Sequence, residues 1–335
     1  MNPDEDLRQQ LEIWLAQRLS DPEALLESVQ SLLAPGVQDA DTAPESHLLI
    51  YVRDDDGESK PVLALFVPNA DRYDSRTGAV SDRVQAPGIE PFNEQVTLAV
   101  LPKLVRACIN EVLPKSNQRN LVVHLILPFT WLHADCDRWS STEQSQLPAV
   151  LSLDLPQIPI GDDFSVVFRI SERLNQAIPE LCRQKWNSKW ESLDKLKPHE
   201  RCAAFVAGDQ YVGDQLVGEL NKPCHVGLKR STVCPEVGHR SLFGLLIGTG
   251  IPAALLVRQD QFDQSLVASD AIDAILNCNI ARLPEAVRQC RADAMGQPKD
   301  KHIGHHLAFL WENPQIVPPS TEPRSAMSFG MPKAS

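Results

Sequence analysis

A near-continuous apolar run, Leu121-Val122-Val123-His124-Leu125-Ile126-Leu127, cut off by Pro128, sets the tightest limit on how this 335-residue chain folds. A β-branched run of that length, bounded by Pro, reads as a strand buried on both faces. Loops just past the ends of such strands tend to carry function in α/β proteins. The next segment, through Asp137-Arg138-Trp139, is therefore where a site is first sought.

Around this strand the pattern predicts an α/β fold, a mainly parallel sheet flanked by helices, with a short N-terminal helical hairpin. Residues 1–34 carry the hairpin. Its first stripe holds Leu7, Leu11, Trp14 and Leu15, its second Leu25, Val29, Leu32 and Leu33, and Ser20 with Glu23 has capping-box spacing between them. A polar linker spans 35–46. Strands are expected at 47–52 and 61–67, joined by a hairpin turn at Asp54-Asp55-Asp56-Gly57. That acidic triplet lacks the ligand spacing of an EF-hand, so a solvated turn is the better reading. Residues 68–91 and 140–163 read as long loops. A helix is expected over 92–112, kinked or started late by Pro102. Past 121 strands and helices mostly alternate: strands at 164–169, 202–207, 253–258 and 307–311, helices at 172–193, 212–220, 240–247, 262–276 and 283–294. Leu174, Ile178, Leu181, Trp186 and Trp190 are expected on the inner face of the 172–193 helix. The tail, 320–335, is rich in Pro and Ser and is expected to be mobile.

Composition narrows the class of protein. With 32 basic against 44 acidic residues the net charge is -12, and no basic block exists to neutralise phosphates, so nucleic acid is excluded as the main partner. No apolar run approaches the roughly 20 residues of a membrane span, and the acidic start MNPDEDLRQQ is no signal peptide. The eight Cys are scattered and read as reduced thiols of a cytoplasmic protein.

No familiar catalytic set is present. There is no GxxxxGK[ST] and no G-x-S-x-G. Gly248-Thr249-Gly250 comes after a helix rather than opening one, so it reads as a cap and not as a phosphate loop. Cys202, Cys224, His225, Cys234 and His239 hold zinc-compatible atoms without compact pair spacing. Cys136, with His133 three residues before it, is the first cysteine-nucleophile candidate, with the other scattered Cys-His pairs as the alternative, but Asp135 and Asp137 flank it and would raise its pKa. His302, His305 and His306 precede the last strand and read as strand-start residues before they read as a metal site. No catalytic, cofactor or metal residues are assigned. Asp137-Arg138-Trp139 reads either as a structural clasp or as a partner-facing anchor, because Trp and Arg dominate binding hot spots. Trp14 and Leu11 of the hairpin are the other interaction candidates, since two short helices cannot bury both stripes against each other.

Three features in order resemble a known family. They are the strand running into Leu127-Pro128 and on to Asp137-Arg138-Trp139; VVFRISER, 166–173, leading into a helix with Trp186 and Trp190; and HIGHHLAFLWENPQIVPP, 302–319, preceded by GTGIPAALLVR, 248–258. Together these resemble the C-terminal domain of vWA-MoxR-associated proteins (VMAP-C), over residues 47–319. The resemblance implies a bacterial conflict, or defence, system in which a MoxR-type AAA+ ATPase, a vWA protein and the VMAP protein act together, often with a protease effector. The short segment before residue 47 leaves no room for a peptidase, so that activity is not carried over. At Glu312-Asn313-Pro314 the chain departs from the family, which often has two Asp there. The expectation is a non-enzymatic signalling or scaffold component that couples a MoxR/vWA NTP-dependent switch to an effector by protein-protein contacts. The alternatives are a regulator or substrate of a caspase-like or trypsin-like partner protease, and a cryptic Cys-dependent hydrolase.

Overall fold

The apolar run folds as a strand with every residue buried, and the rest of the sheet is assembled around it. In the computed structural model, residues 45–55, 57–84, 95–116, 120–140, 158–232, 236–258 and 265–319 are described. They belong to one unit, Pro44–Ser335. The hairpin with Leu11 and Trp14, most of the linker and the C-terminal tail lie outside the described residues.

The strands are β1 (Ser46–Val52), β2 (Lys60–Val67), β3 (Asp82–Arg83), β4 (Gln95–Val96), β5 (Leu121–Leu127), β6 (Ser165–Ile170), β7 (Phe205–Ala207), β8 (Gly227–Arg230), β9 (Ala253–Val257) and β10 (Leu307–Trp311). Their order is β3-β2-β1-β5-β6-β10-β9-β8-β7, with β4 on β2. Strands β1, β5, β6 and β10 pair in parallel. So do β7, β8 and β9. The two groups meet where β10 pairs antiparallel with β9, and β2 pairs antiparallel with β1. The sheet is thus mostly parallel, as the alternating pattern predicts. The reversal between β10 and β9 has a consequence. It puts the C-terminal end of β9 on the same edge as the N-terminal ends of β10, β6 and β5.

The helices are α1 (Leu101–Val112), α2 (Ile160–Asp163), α3 (Glu180–Lys195), α4 (Pro198–Ala204), α5 (Asp214–Asn221), α6 (Glu236–Thr249), α7 (Ser265–Leu276) and α8 (Leu283–Asp293). Alternate residues of each strand face opposite sides. On one side Leu48, Ile50, Val123, Leu125, Val166 and Phe168 pack under α1 and α6. The other side holds two separate apolar clusters. Val122, Val167, Phe309 and Trp311 lie with Trp190, Ile272 and Val287, while Leu49, Leu65, Val67, Ile126 and Ile316 form a smaller one. On β5, His124 sits between Val122 of the first and Ile126 of the second.

Several sequence expectations need correction. The helix expected over 92–112 begins at Leu101, because 95–96 pairs with β2 and Pro102, lacking an N–H, belongs in a first turn. The helix expected over 172–193 is split into a 3-10 turn at Ser171–Leu174 and α3 from Glu180, since Pro179 restricts the residue before it. Leu181, expected inward, is 62% exposed in the first turn of α3, whereas Trp186 and Trp190 are buried. The first half of the strand expected at 202–207 belongs to α4, which is opened by Pro198 and by Glu200 accepting from the Lys197 N–H at 2.9 Å. Only Phe205–Ala207 is strand. Cys202 therefore lies on a helix. Strand β8 is an addition to the expected set: Gly-Leu-Lys-Arg carries little apolar signal, and Gly227 is needed because any Cβ would enter the Phe205 ring. The helix expected at 240–247 extends over Glu236–Thr249, so His239 is helical. The acidic turn joins antiparallel β1 and β2, with Lys60 Nζ 3.1 Å from Asp54 Oδ1.

Candidate functional site

Past β5 the chain turns through a 3-10 turn, Cys136–Arg138, and runs back to enter α2 and then β6. This return brings Asp137 to the edge where β9 ends. Asp137 is 1% exposed. Its Oδ1 accepts from Arg258 Nη1 at 2.5 Å, and its Oδ2 lies 3.1 Å from Arg291 Nε. Burial alone would raise this carboxyl, but Arg258 and Arg291 outweigh it and hold it below the usual carboxylate range. Arg258 also lies over the Phe168 ring, 4.9 Å from its centroid. Arg291, fully buried on α8, donates to Val166 O and Leu307 O, tying β6 to β10. Gly161 allows α2 to approach: a Cβ there would come within 2.8 Å of Asp137 O.

Arg138 does not pair with its neighbour Asp137. Its Nη1 donates to Asp162 Oδ1 at 2.9 Å, and its Nη2 lies 3.3 Å from His305 Nδ1. Burial raises the Asp162 carboxyl to about 6 even though Arg138 and Arg291 pull it down. Arg138 and Trp139 are half-buried at the surface, above Asp137 in the interior. Of the three residues singled out in the sequence, Asp137 is thus the anchor. Arg138 and Trp139 are the ones a partner could touch.

A second charge network closes the opposite end of the strands. Glu312 comes directly after β10, is 1% exposed, and takes Ile170 N–H at 2.7 Å through Oε1. Its Oε2 is 3.5 Å from Arg169 Nε and its Oε1 is 3.8 Å from Arg173 Nε. Arg169 donates to Asn313 O and Ile316 O. Arg173 donates to Leu246 O and Ile251 O and lies 5.1 Å from the Trp186 ring centroid. The VVFRISER motif therefore supplies two guanidiniums for one carboxylate. In the sequence, Glu312 stands out only as a departure from a family pattern.

Between these networks lies a pair that sequence reasoning missed. His47 of β1 and His124 of β5 stand on the same sheet face, two register steps apart. His47 Nδ1 lies 2.9 Å from His124 Nε2. Burial and Arg169 hold His47 down to about 3. His124 is held well below its ordinary value by burial, by His47 and by Arg169. Glu45 Oε2 is 3.5 Å from His47 Nε2. The signal is present in the sequence: one His inside the run LVVHLIL and another starting a neighbouring strand.

The remaining candidates fall elsewhere. Cys136 is fully buried, which pushes its thiol far up, and His133 is exposed. Gly250 has φ +71 and ends α6, with Gly250 N–H donating to Ile247 O and Ile251 N–H to Leu246 O. The GTG stretch is thus a helix stop. Cys202 Sγ donates to Asp273 O, His225 Nδ1 meets Glu219 O, and Cys234 lies outside the described residues. His302 Nδ1 caps Gly304 N–H, while His305 and His306 meet the backbone of Gln297 and Lys299. No cluster of metal-ligating side chains occurs among the described residues. None of the described helices is long and apolar enough to cross a membrane.

Comparison with known protein families bears on this arrangement directly. The family model of the vWA-MoxR associated protein C-terminal domain, VMAP-C, matches residues 71–314. The chain belongs to the VMAP-C family. That stretch holds Asp137, Arg258, Arg291, Arg169, Arg173 and Glu312, so both charge networks lie within the VMAP-C domain. Strands β1 and β2, and with them His47, precede the match. The domain's name associates it with vWA and MoxR proteins. No curated protein and no solved structure matches the chain.

Proposed function

We propose that this VMAP-C domain is a non-enzymatic signalling scaffold of a bacterial conflict system. It couples a MoxR/vWA NTP-dependent switch to an effector through protein contacts. The observation that carries the reading is the family match over residues 71–314. The geometry supports it in one further respect. The charged groups nearest the conspicuous motifs, Asp137 and Glu312, are spent on internal ion pairs that tie strands together. Cys136, the nucleophile candidate, is buried with its thiol pushed up. In this reading Arg138 and Trp139 present a contact surface on a rigid base.

Purification of the tagged chain from its native host, with neighbouring genes intact, tests the reading. The expected result is recovery of a vWA protein and a MoxR-type ATPase, together with no ATP or peptide hydrolysis by the isolated chain. Turnover that disappears in Cys136→Ala would overturn it in favour of a hydrolase.

A further inference from the structure

A cleft of about 930 Å³ opens on the sheet face that carries the histidine pair. That volume lies within the range of small-molecule sites, roughly 300–1,000 Å³. Its floor includes His47, His124 and Val122. Trp190 and Trp311, packed edge to face at 4.8 Å between centroids, form an aromatic wall. Among the described lining residues, the carboxylates Glu45, Asp71, Asp74 and Asp194 outnumber the cation Arg76. Arg169 near the histidines is already paired with Glu312.

The hydrogen bonding of the floor is incomplete. His124 is 1% exposed, lines the cleft, and spends Nε2 on His47; its Nδ1 has no partner. A buried ring nitrogen left unpaired is costly, and such atoms call for an explanation. Burial and Asp71 raise the Glu45 carboxyl to about 7, and above that pH its carboxylate, 3.5 Å from His47 Nε2, favours a proton on that nitrogen. His47 Nδ1 then accepts from His124 Nε2–H, and His124 Nδ1 is left as a bare lone pair. The floor therefore offers an acceptor, the rim offers negative charge, and one wall offers aromatic surface.

We propose that this cleft binds a small planar organic cation, of the amidine or amino-heterocycle class, that donates an N–H to His124 Nδ1. Such a ligand gives the domain a small-molecule input distinct from its protein contacts.

The test uses the full chain with benzamidine and 2-aminobenzimidazole as probes and benzamide and benzoate as shape-matched controls. Calorimetry and thermal shift are expected to show binding of the cations, weaker binding of benzamide and none of benzoate. The 15N resonance of His124 Nδ1 should move from that of a bare nitrogen to that of a hydrogen-bonded one on adding the cation. Asp71→Asn, at an exposed position, should weaken the cations several-fold without altering melting, and His124→Phe should abolish binding. If His124→Phe does not fold, the resonance and Asp71→Asn still decide. Benzoate binding as well as benzamidine, an unmoved Nδ1 resonance, or no binding of either cation at millimolar concentration would overturn the proposal.

Discussion

Asp137 Oδ2 sits 3.1 Å from Arg291 Nε with both side chains inside the protein, and Arg258 takes the other oxygen. One carboxylate thus neutralises two guanidiniums from separate parts of the chain. Removing it leaves Arg291 buried without its ion partner and Arg258 with only the exposed Asp135, 3.3 Å from its Nη1; breaking a buried pair typically costs about 3–5 kcal/mol. Asp137→Asn is therefore expected to lower unfolding free energy by that order. Asp162→Asn should cost much less, because burial already lifts its carboxyl to about 6 and the neutral form is tolerated. Urea melts of the two variants at pH 7 check the difference; equal losses would contradict it.

Glu312 plays the same part at the other end of the strands, facing Arg169 and Arg173. Glu312→Gln keeps the shape and an acceptor for Ile170 N–H but removes the charge. The expected loss is again about 3–5 kcal/mol. A loss under about 1 kcal/mol would mean that the backbone carbonyls satisfy both guanidiniums without the carboxylate.

The histidine pair makes a signed prediction about pH. His47 falls from its ordinary 6.5 to about 3 in the folded protein. Between those values the unfolded chain binds a proton that the folded chain refuses. The contribution is fully present above pH 6.5 and is lost as pH falls toward 3. For His47 it amounts to about 2–3 kcal/mol between pH 6.5 and 4.5. His124 acts in the same sense, whereas Glu45 and Asp162, both raised, run the other way. The difference between wild type and His47→Leu/His124→Leu isolates the pair. Lowering pH from 7.5 to 4.5 should move that difference in the variant's favour, and a constant difference would show the rings to take up protons as readily in the fold as in the unfolded chain.

Two glycines, one within α6 and one at its end, should respond oppositely. Gly250 has φ +71, and a Cβ there would come within 2.6 Å of Trp186 N. Gly244, on α6, meets nothing within 4 Å. Gly250→Ala is expected to destabilise by about 1–3 kcal/mol, and Gly244→Ala to stabilise by up to about 1 kcal/mol. Thermal melts of both variants read the signs.

Local signals are the ones legible in the sequence. Strands β5, β9 and β10 announce themselves because each is an apolar run with a Pro, Gly or charged stop. Strand β8 does not, because it is four residues long and half polar, and its pairing with β7 and β9 is a long-range matter. Asp137, Arg138 and Trp139 are visible as a group, but their division of labour is not. Asp137 turns inward toward Arg258 and Arg291, more than a hundred residues away, while Arg138 turns to Asp162 and His305. The His47–His124 contact depends on the parallel register of β1 and β5, which no spacing rule supplies.

That division of labour leads to the prediction closest to function. Arg138 and Trp139 are the accessible part of a turn whose base is fixed by buried ion pairs. Truncating them removes contact surface but no buried charge partner of Asp137. Arg138→Ala and Trp139→Ala are therefore expected to leave melting within a few degrees of wild type, because Arg138 is partly exposed and the buried Asp162 it leaves, its carboxyl already raised to about 6, can take up a proton. If the turn is a contact anchor, each should weaken capture of a vWA or MoxR-type partner by about tenfold or more, the scale of a hot-spot residue. Quantitative pull-down at matched concentration, set beside the melting curves, reads both. Unchanged capture with a large fall in melting temperature would assign the two residues to the clasp that holds α2 against the 3-10 turn Cys136–Arg138, and partner contact would have to be sought on another surface.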